Sequence, residues 1–242
     1  MKIVYLAVTA FVLLCFSSAM AMSSAPEFKE KKITESRKNY SIEISYPLMA
    51  DSKYPAGLEK FNSLIHNYFQ SQVKEFRDDY MEGESAGVTD VPWSIYYSYE
   101  IEYKSASLVS ILFMGSNYCG GAHPSPVFYC VNFDLEKGRI VAVKDIFRKG
   151  SGYYEKLSAL CIRELKKRNI SSSSELINEG ASSRAENFEC FYLKSDALVI
   201  LFPPYQVAPY AAGPQEVIIP FRSIRDLIDP ASPAGRFIRP GE

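Results

Sequence analysis

Apolar residues recur at three- and four-residue intervals from Leu58 through Phe61, Ile65, Tyr68, Phe69 and Val73 to Phe76. That spacing predicts a long helix with one buried face, preceded by Pro55 and Gly57 and stopping near Gly83. From Trp93 the period changes to two. Trp93, Ile95, Tyr97, Tyr99, Ile101 and Tyr103 share one face, while Ser94, Ser98, Glu100, Glu102 and Lys104 take most of the other. This is the alternation of a half-buried strand in an antiparallel setting. A shorter strand over 42–46 is expected upstream, ended by Pro47.

Further strands are predicted over 108–113 and 127–133, and the turn at Lys137-Gly138 lets 139–143 pair back. Tyr154, Leu157, Cys161 and Leu165 outline a second amphipathic helix. Its end at Lys166, Lys167 and Arg168 suits the negative pole of a helix C-terminus. Ser171–Ser174 reads as a loop and helix cap. Residues 188–193 and 198–202 form a hairpin around Ser195-Asp196, and 216–219 the last strand. The fold class is α+β: antiparallel sheets, each packed by an amphipathic helix.

The N-terminus changes the picture from fold to address. Lys2, an apolar run over 3–16, and Ala19 and Ala21 at the −3 and −1 positions make a secretory signal, residues 1–21. The run falls short of the ~20 residues of a membrane span. Cys15 raises a lipid-modified alternative, but Leu14 stands where that motif wants a small residue. The mature chain is expected to be periplasmic or secreted, with no later membrane span. Residues 22–32 read as a disordered leader, with domains over 33–115 and 116–228 and a C-terminal tail over 229–242.

Composition narrows the function classes. Apolar content of 47% and aromatic content of 14% indicate an ordered protein with a proper core. The formal charge of −1 provides no electrostatic footprint for nucleic acid. Four cysteines follow the leader: Cys119, Cys130, Cys161 and Cys190. In an exported chain they suggest two disulfides with three possible connectivities. The preferred pairing is Cys119–Cys130, closing a hairpin, and Cys161–Cys190, tying a helix to a strand.

Candidate chemistry is sparse. Gly83-Glu84-Ser85-Ala86-Gly87 matches G-x-S-x-G, but it follows a helix and leads into a strand, the reverse of a nucleophile elbow. Only two histidines occur, His66 and His123, and no HExxH, HxxxH or CxxC spacing is present, so neither metal nor cofactor is expected. Two loops stand out. Tyr118-Cys119-Gly120-Gly121-Ala122-His123-Pro124-Ser125-Pro126 is either a rigid turn or a shaped recognition loop. The segment 202–214 carries four prolines and two tyrosines, and stiff loops lose little entropy on binding. It reads equally as a partner-binding surface or as an internal plug.

Gly120-Gly121-Ala122-His123-Pro124, Asn132-Phe133-Asp134, Asp145-Ile146-Phe147 and above all the stretch from Phe202 to Val217 resemble the RsiV-type extracytoplasmic domain. Roughly 33–103 is similar to the PdaC-type domain that commonly precedes it. The resemblance implies an α+β fold and a module that binds lysozyme or another muramidase, or senses peptidoglycan. Only Met1 and Lys2 precede the apolar segment, so a cytoplasmic sigma-binding part is not expected. The HxxxH of a deacetylase cannot be written from His66 and His123. The expectation is an exported, non-enzymatic envelope protein that contacts its partner through Pro203, Tyr205, Pro209 and Tyr210, with His123 and Ser125 beside them. Two alternatives stay open: a cell-wall hydrolase or esterase using Ser85 or Ser125 with His123, and a structural envelope domain without a dedicated ligand.

Overall fold

The computed structural model describes residues 25–87, 91–170 and 174–238. The expected signal segment with Ala19, Ala21 and Cys15 lies outside the described residues, as do Ser171–Ser173 and the last four positions. A six-stranded sheet runs in chain order through β1 (Phe28–Ser36), β2 (Tyr40–Met49), β3 (Trp93–Lys104), β4 (Leu108–Tyr118), β5 (Ser125–Asp134) and β6 (Arg139–Ile140). Neighbours pair antiparallel except β2 and β3, which run parallel. A parallel pair needs a crossover, and helix α1 (Pro55–Ser85) supplies it. Three-stranded β7 (Phe191–Leu193), β8 (Ala197–Phe202) and β9 (Gln215–Pro220) form a second, antiparallel sheet. Helices α2 (Tyr153–Lys166) and α3 (Ser174–Gly180) precede it.

The layers follow from which faces are apolar. The predicted stripe of α1, with Phe61, Ile65, Phe69, Val73 and Phe76 buried, packs on Ile42, Ile44, Ile95, Tyr97, Phe113 and Val131 of the first sheet. On the far side, Leu157, Cys161 and Leu165 of α2 join Leu198, Ile200 and Phe202 of β8 in a second core. The other face of β8, Val199 and Leu201, meets Leu112 of β4 and Tyr192 of β7. All six residues of β8 are buried because it is covered on both faces. The order is α1, six-stranded sheet, three-stranded sheet, then α2 with α3, an α+β architecture.

A buried polar bridge ties the sheets together. The Ser110 hydroxyl donates to Asn132 Oδ1 at 2.7 Å and accepts the Leu193 N–H at 2.8 Å, while Asn132 Nδ2 donates to the Phe191 carbonyl at 2.8 Å. Ser110 and Asn132 face each other across β4 and β5; Phe191 and Leu193 belong to β7. Each apolar sheet face thus has one fixed register against the other.

Several expectations need correction. The leader over 22–32 is strand from Phe28 onward, paired along its length with β2. Its charges mark an edge strand, where lysines discourage further pairing. Pro47 does not end β2: pairing with β3 stops at Ile44, so at Pro47 the strand has a partner on the β1 side only, where a missing N–H can be tolerated. The boundary placed between 115 and 116 cuts through β4 of an unbroken hairpin. From 229 the described chain packs rather than trails: Arg236 donates to the hydroxyls of Ser105 and Ser107 at 2.6 Å each, and Phe237 stacks on Phe221.

Glu35 secures the edge strand. It accepts from the Tyr40 hydroxyl at 2.6 Å and pairs with Arg77 of α1 and with Arg37. The Tyr40 hydrogen bond, followed by Arg77, holds its carboxyl down to about 2. A depressed carboxylate pKa stabilises above the unfolded value and is lost as pH falls through the folded one. Stability should therefore decline between about pH 4.5 and pH 2, and Glu35→Gln should flatten that part of an acid-unfolding profile. Identical profiles for the two proteins would count against this role.

Candidate functional site

The two segments singled out in the sequence come together. The His123 loop joins β4 to β5, where Gly120 and Gly121 take φ of 86° and 109°, values that disfavour any other residue. Tyr118 donates its hydroxyl to the Gly121 carbonyl at 3.0 Å, closing the turn. The proline–tyrosine loop joins β8 to β9. Its middle is anchored inward: Val207 and Ala208 are buried, and Gln206 Nε2 donates to the carbonyls of Gly180 and Asn187 at 2.9 and 3.2 Å. The Tyr205 N–H donates to the Ala208 carbonyl at 3.0 Å.

That anchoring turns the tyrosines outward. Tyr205 is 61% exposed and sits at φ 72°, a left-handed conformation that costs a residue with a side chain about 1 kcal/mol. Tyr210 is half-buried and tilts against Tyr205 with ring centres 5.6 Å apart. Its other side stacks on His123, centres 3.9 Å apart and planes 19° from parallel. The Tyr210 hydroxyl donates to the Pro124 carbonyl at 3.0 Å, fixing one loop to the other. His123, Ser125, Pro126, Pro203, Pro204, Tyr205 and Tyr210 line a cleft of about 160 Å³ between them. Pro209 is exposed but is not among the residues lining the cleft. The segment is therefore part plug, through Val207 and Ala208, and part presented surface, through Tyr205.

The cleft does not assemble a hydrogen-bonded serine–histidine–carboxylate relay among the described residues. His123 Nδ1 lies 3.1 Å from the Pro124 carbonyl, which only accepts, so the ring's proton sits on Nδ1. Ser125 shares the cleft, but among the described residues neither it nor any carboxylate hydrogen-bonds His123. Ser85 closes α1, its hydroxyl bonded back to the Met81 carbonyl at 2.9 Å. The strand-to-helix elbow that G-x-S-x-G chemistry needs is thus replaced by a helix end. His66 is on α1 with Nδ1 3.0 Å from the Tyr46 hydroxyl. Among the described residues, no three His, Cys, Asp or Glu side chains gather as a metal site, and no helix is long and apolar enough to cross a membrane.

The cysteines depart from the preferred pairing. Cys119 is exposed in the β4–β5 loop with Sγ 3.1 Å from Asn117 Oδ1. Cys161 is fully buried in α2, and burial pushes its thiol up to about 12. Neither is bonded to its expected partner; all four are thiols. Cys130 instead adjoins Cys190, Sγ to Sγ 3.0 Å. The sequence reading also missed a larger cleft, about 370 Å³, lined by Cys130, Val143, Lys144, Tyr154, Phe188 and Glu189 among others. Its walls come from separate stretches of chain between Cys130 and Phe191, and no spacing motif could have pointed to it.

The family described as deacetylase PdaC matches residues 33–126, and the protein family of unknown function DUF3298 matches 144–222. The peptidoglycan-N-acetylmuramic acid deacetylase PdaC of Bacillus subtilis is 28% identical over 79% of this chain, which spans 39% of that relative's length. The immunogenic protein MPT64 of Mycobacterium tuberculosis is 22% identical over 93% of this chain and 98% of its own. Two crystal structures of DUF3298 family proteins share the fold. One, from Bacteroides fragilis, has a TM-score of 0.65 at 21% identity, covering 90% of this chain and 99% of that one. Another, from Pseudomonas aeruginosa, has a TM-score of 0.64 at 14% identity, covering 89% and 98%. His123 and Ser125 fall in the first matched region and the proline–tyrosine loop in the second. The chain is thus similar to the PdaC family over its first region and to the DUF3298 family over its second, with the fold of the solved DUF3298 family proteins.

Proposed function

We propose that this is a non-enzymatic envelope protein that binds a macromolecular partner through the Tyr205, Tyr210 and His123 surface, with a lysozyme-type muramidase as the first partner to test. The observation that carries the reading is Tyr205 itself: a large aromatic side chain held exposed, in a backbone conformation that glycine would adopt without cost. Strain of this kind concentrates at sites where presentation matters more than stability. Rigid tyrosines flanked by prolines make good protein-binding anchors, because little entropy remains to be lost. Glycan recognition would use the same stacked rings, so peptidoglycan is the second partner to test.

Calorimetric titration of the mature chain with lysozyme, and co-sedimentation with peptidoglycan, provide the test. Tyr205→Gly should weaken binding at least tenfold while leaving stability unchanged or raising it by up to about 1 kcal/mol. No binding to either at micromolar concentration would remove the reading. The Bacillus subtilis relative is named as a deacetylase; release of acetate from peptidoglycan by this chain would overturn the non-enzymatic part.

A further inference from the structure

Cys130 and Cys190 are separated by 60 residues in sequence and by 3.0 Å between their sulfur atoms. Both backbones are pinned. Cys130 stands opposite Leu112 in the β4–β5 ladder, and the Cys190 carbonyl accepts the Leu201 N–H from β8. The pair sits on the seam between the sheets, packed with Leu112, Tyr192, Val199 and Leu201. Cys130 also lines the 370 Å³ cleft, which gives a reagent a way in. Cys161 is sealed in the α2 core and Cys119 lies out in a loop.

We propose that Cys130 and Cys190 form a disulfide that staples the two sheets together, taken from a disulfide-donating thiol oxidase of an oxidising extracytoplasmic compartment. One cysteine thiolate attacks the donor disulfide, giving a mixed disulfide and releasing one donor thiolate. The second cysteine thiolate then displaces the other donor sulfur. Two thiols lose two protons and two electrons, and the donor leaves as a dithiol. The sulfurs need approach by only about 1 Å to reach bonding distance. Contact with Cys190, together with burial, pushes the Cys130 thiol up, so the reaction should speed up as pH rises.

The full chain, treated with oxidised glutathione and compared with the same protein in dithiothreitol, tests this. Expected are an intact mass lower by two hydrogens and one cross-linked peptide pair joining Cys130 to Cys190. Cys119 should alkylate in the native protein and Cys161 only after unfolding. Closing a loop of this length should raise Tm by about 10 °C. A linkage through Cys119 or Cys161, four alkylatable thiols after oxidation, or equal Tm in both conditions would overturn the proposal. The double variant Cys130→Ala/Cys190→Ala should lose the dependence of Tm on reductant. If that variant fails to fold, the oxidised and reduced wild-type proteins still decide the matter.

Discussion

Alanine at Asn132 should lower stability by about 3 kcal/mol, the cost of breaking a buried polar bridge rather than of trimming a side chain. Asn132 is 2% exposed and Ser110 fully buried, and of the three hydrogen bonds they make, one joins them within the first sheet and two reach β7 of the second. Without the amide, the buried Ser110 hydroxyl loses its acceptor and the Phe191 carbonyl loses a donor. A small cavity adds to the loss. For a domain of this size the drop corresponds to roughly 10 °C in Tm. Ser110→Ala should be destabilising as well, and the double variant should be less damaging than the sum by 1 kcal/mol or more, on the order seen for coupled neighbours. Additive effects in chemical denaturation would show that the three bonds do not act as a unit.

Valine at Gly180 should cost about 4 kcal/mol and loosen a loop it does not belong to. The last residue of α3 lies flat against the backbone of the proline–tyrosine loop. A Cβ there would stand 1.8 Å from the Gln206 carbonyl oxygen and 3.1 Å from Val207 Cγ1. A backbone atom cannot move aside as a side-chain tip can, so the loop itself must lift. Lifting it breaks the two bonds from Gln206 Nε2 and unseats Val207 and Ala208. Hydrogen exchange should then quicken at the Tyr205 amide, whose bond to Ala208 holds the turn. Protection at Tyr205 equal to wild type would refute the anchoring role.

Long elements were legible because each carries its own period. The seven apolar positions of α1 and the alternation of β3 declare a buried face whatever packs on it. β1 did not, since Lys29, Glu30, Lys31 and Lys32 place charge on both faces of the strand. Only Phe28 and Ile33 give it apolar purchase on the rest of the first core, and Phe28 does so edge-on to Phe61. The parallel pairing of β2 with β3 depends on a crossover, which local pattern does not encode. Both loops of the candidate site were visible from their glycines, prolines and tyrosines. Their meeting was not, because His123 and Tyr210 are joined by tertiary packing alone. The cysteines show the same limit. A short spacing favoured Cys119 with Cys130, yet β4 ends at Tyr118 and β5 starts at Ser125, so Cys119 is in the loop and Cys130 six residues along the strand.

The β4–β5 hairpin has a consequence for inheritance. The PdaC match stops at Pro126, one residue into β5 from its start at Ser125, while the sheet that match belongs to runs on to Ile140. Sequence kinship and the folding unit therefore have different edges. A gene rearrangement that respected the sequence boundary would leave β4 without its neighbour and would bare Leu112 and Met114, which now face the second sheet. Such an open, apolar edge invites aggregation. Fusion and exchange events are thus constrained to carry the strand across with its partner, which ties the two regions into one heritable piece.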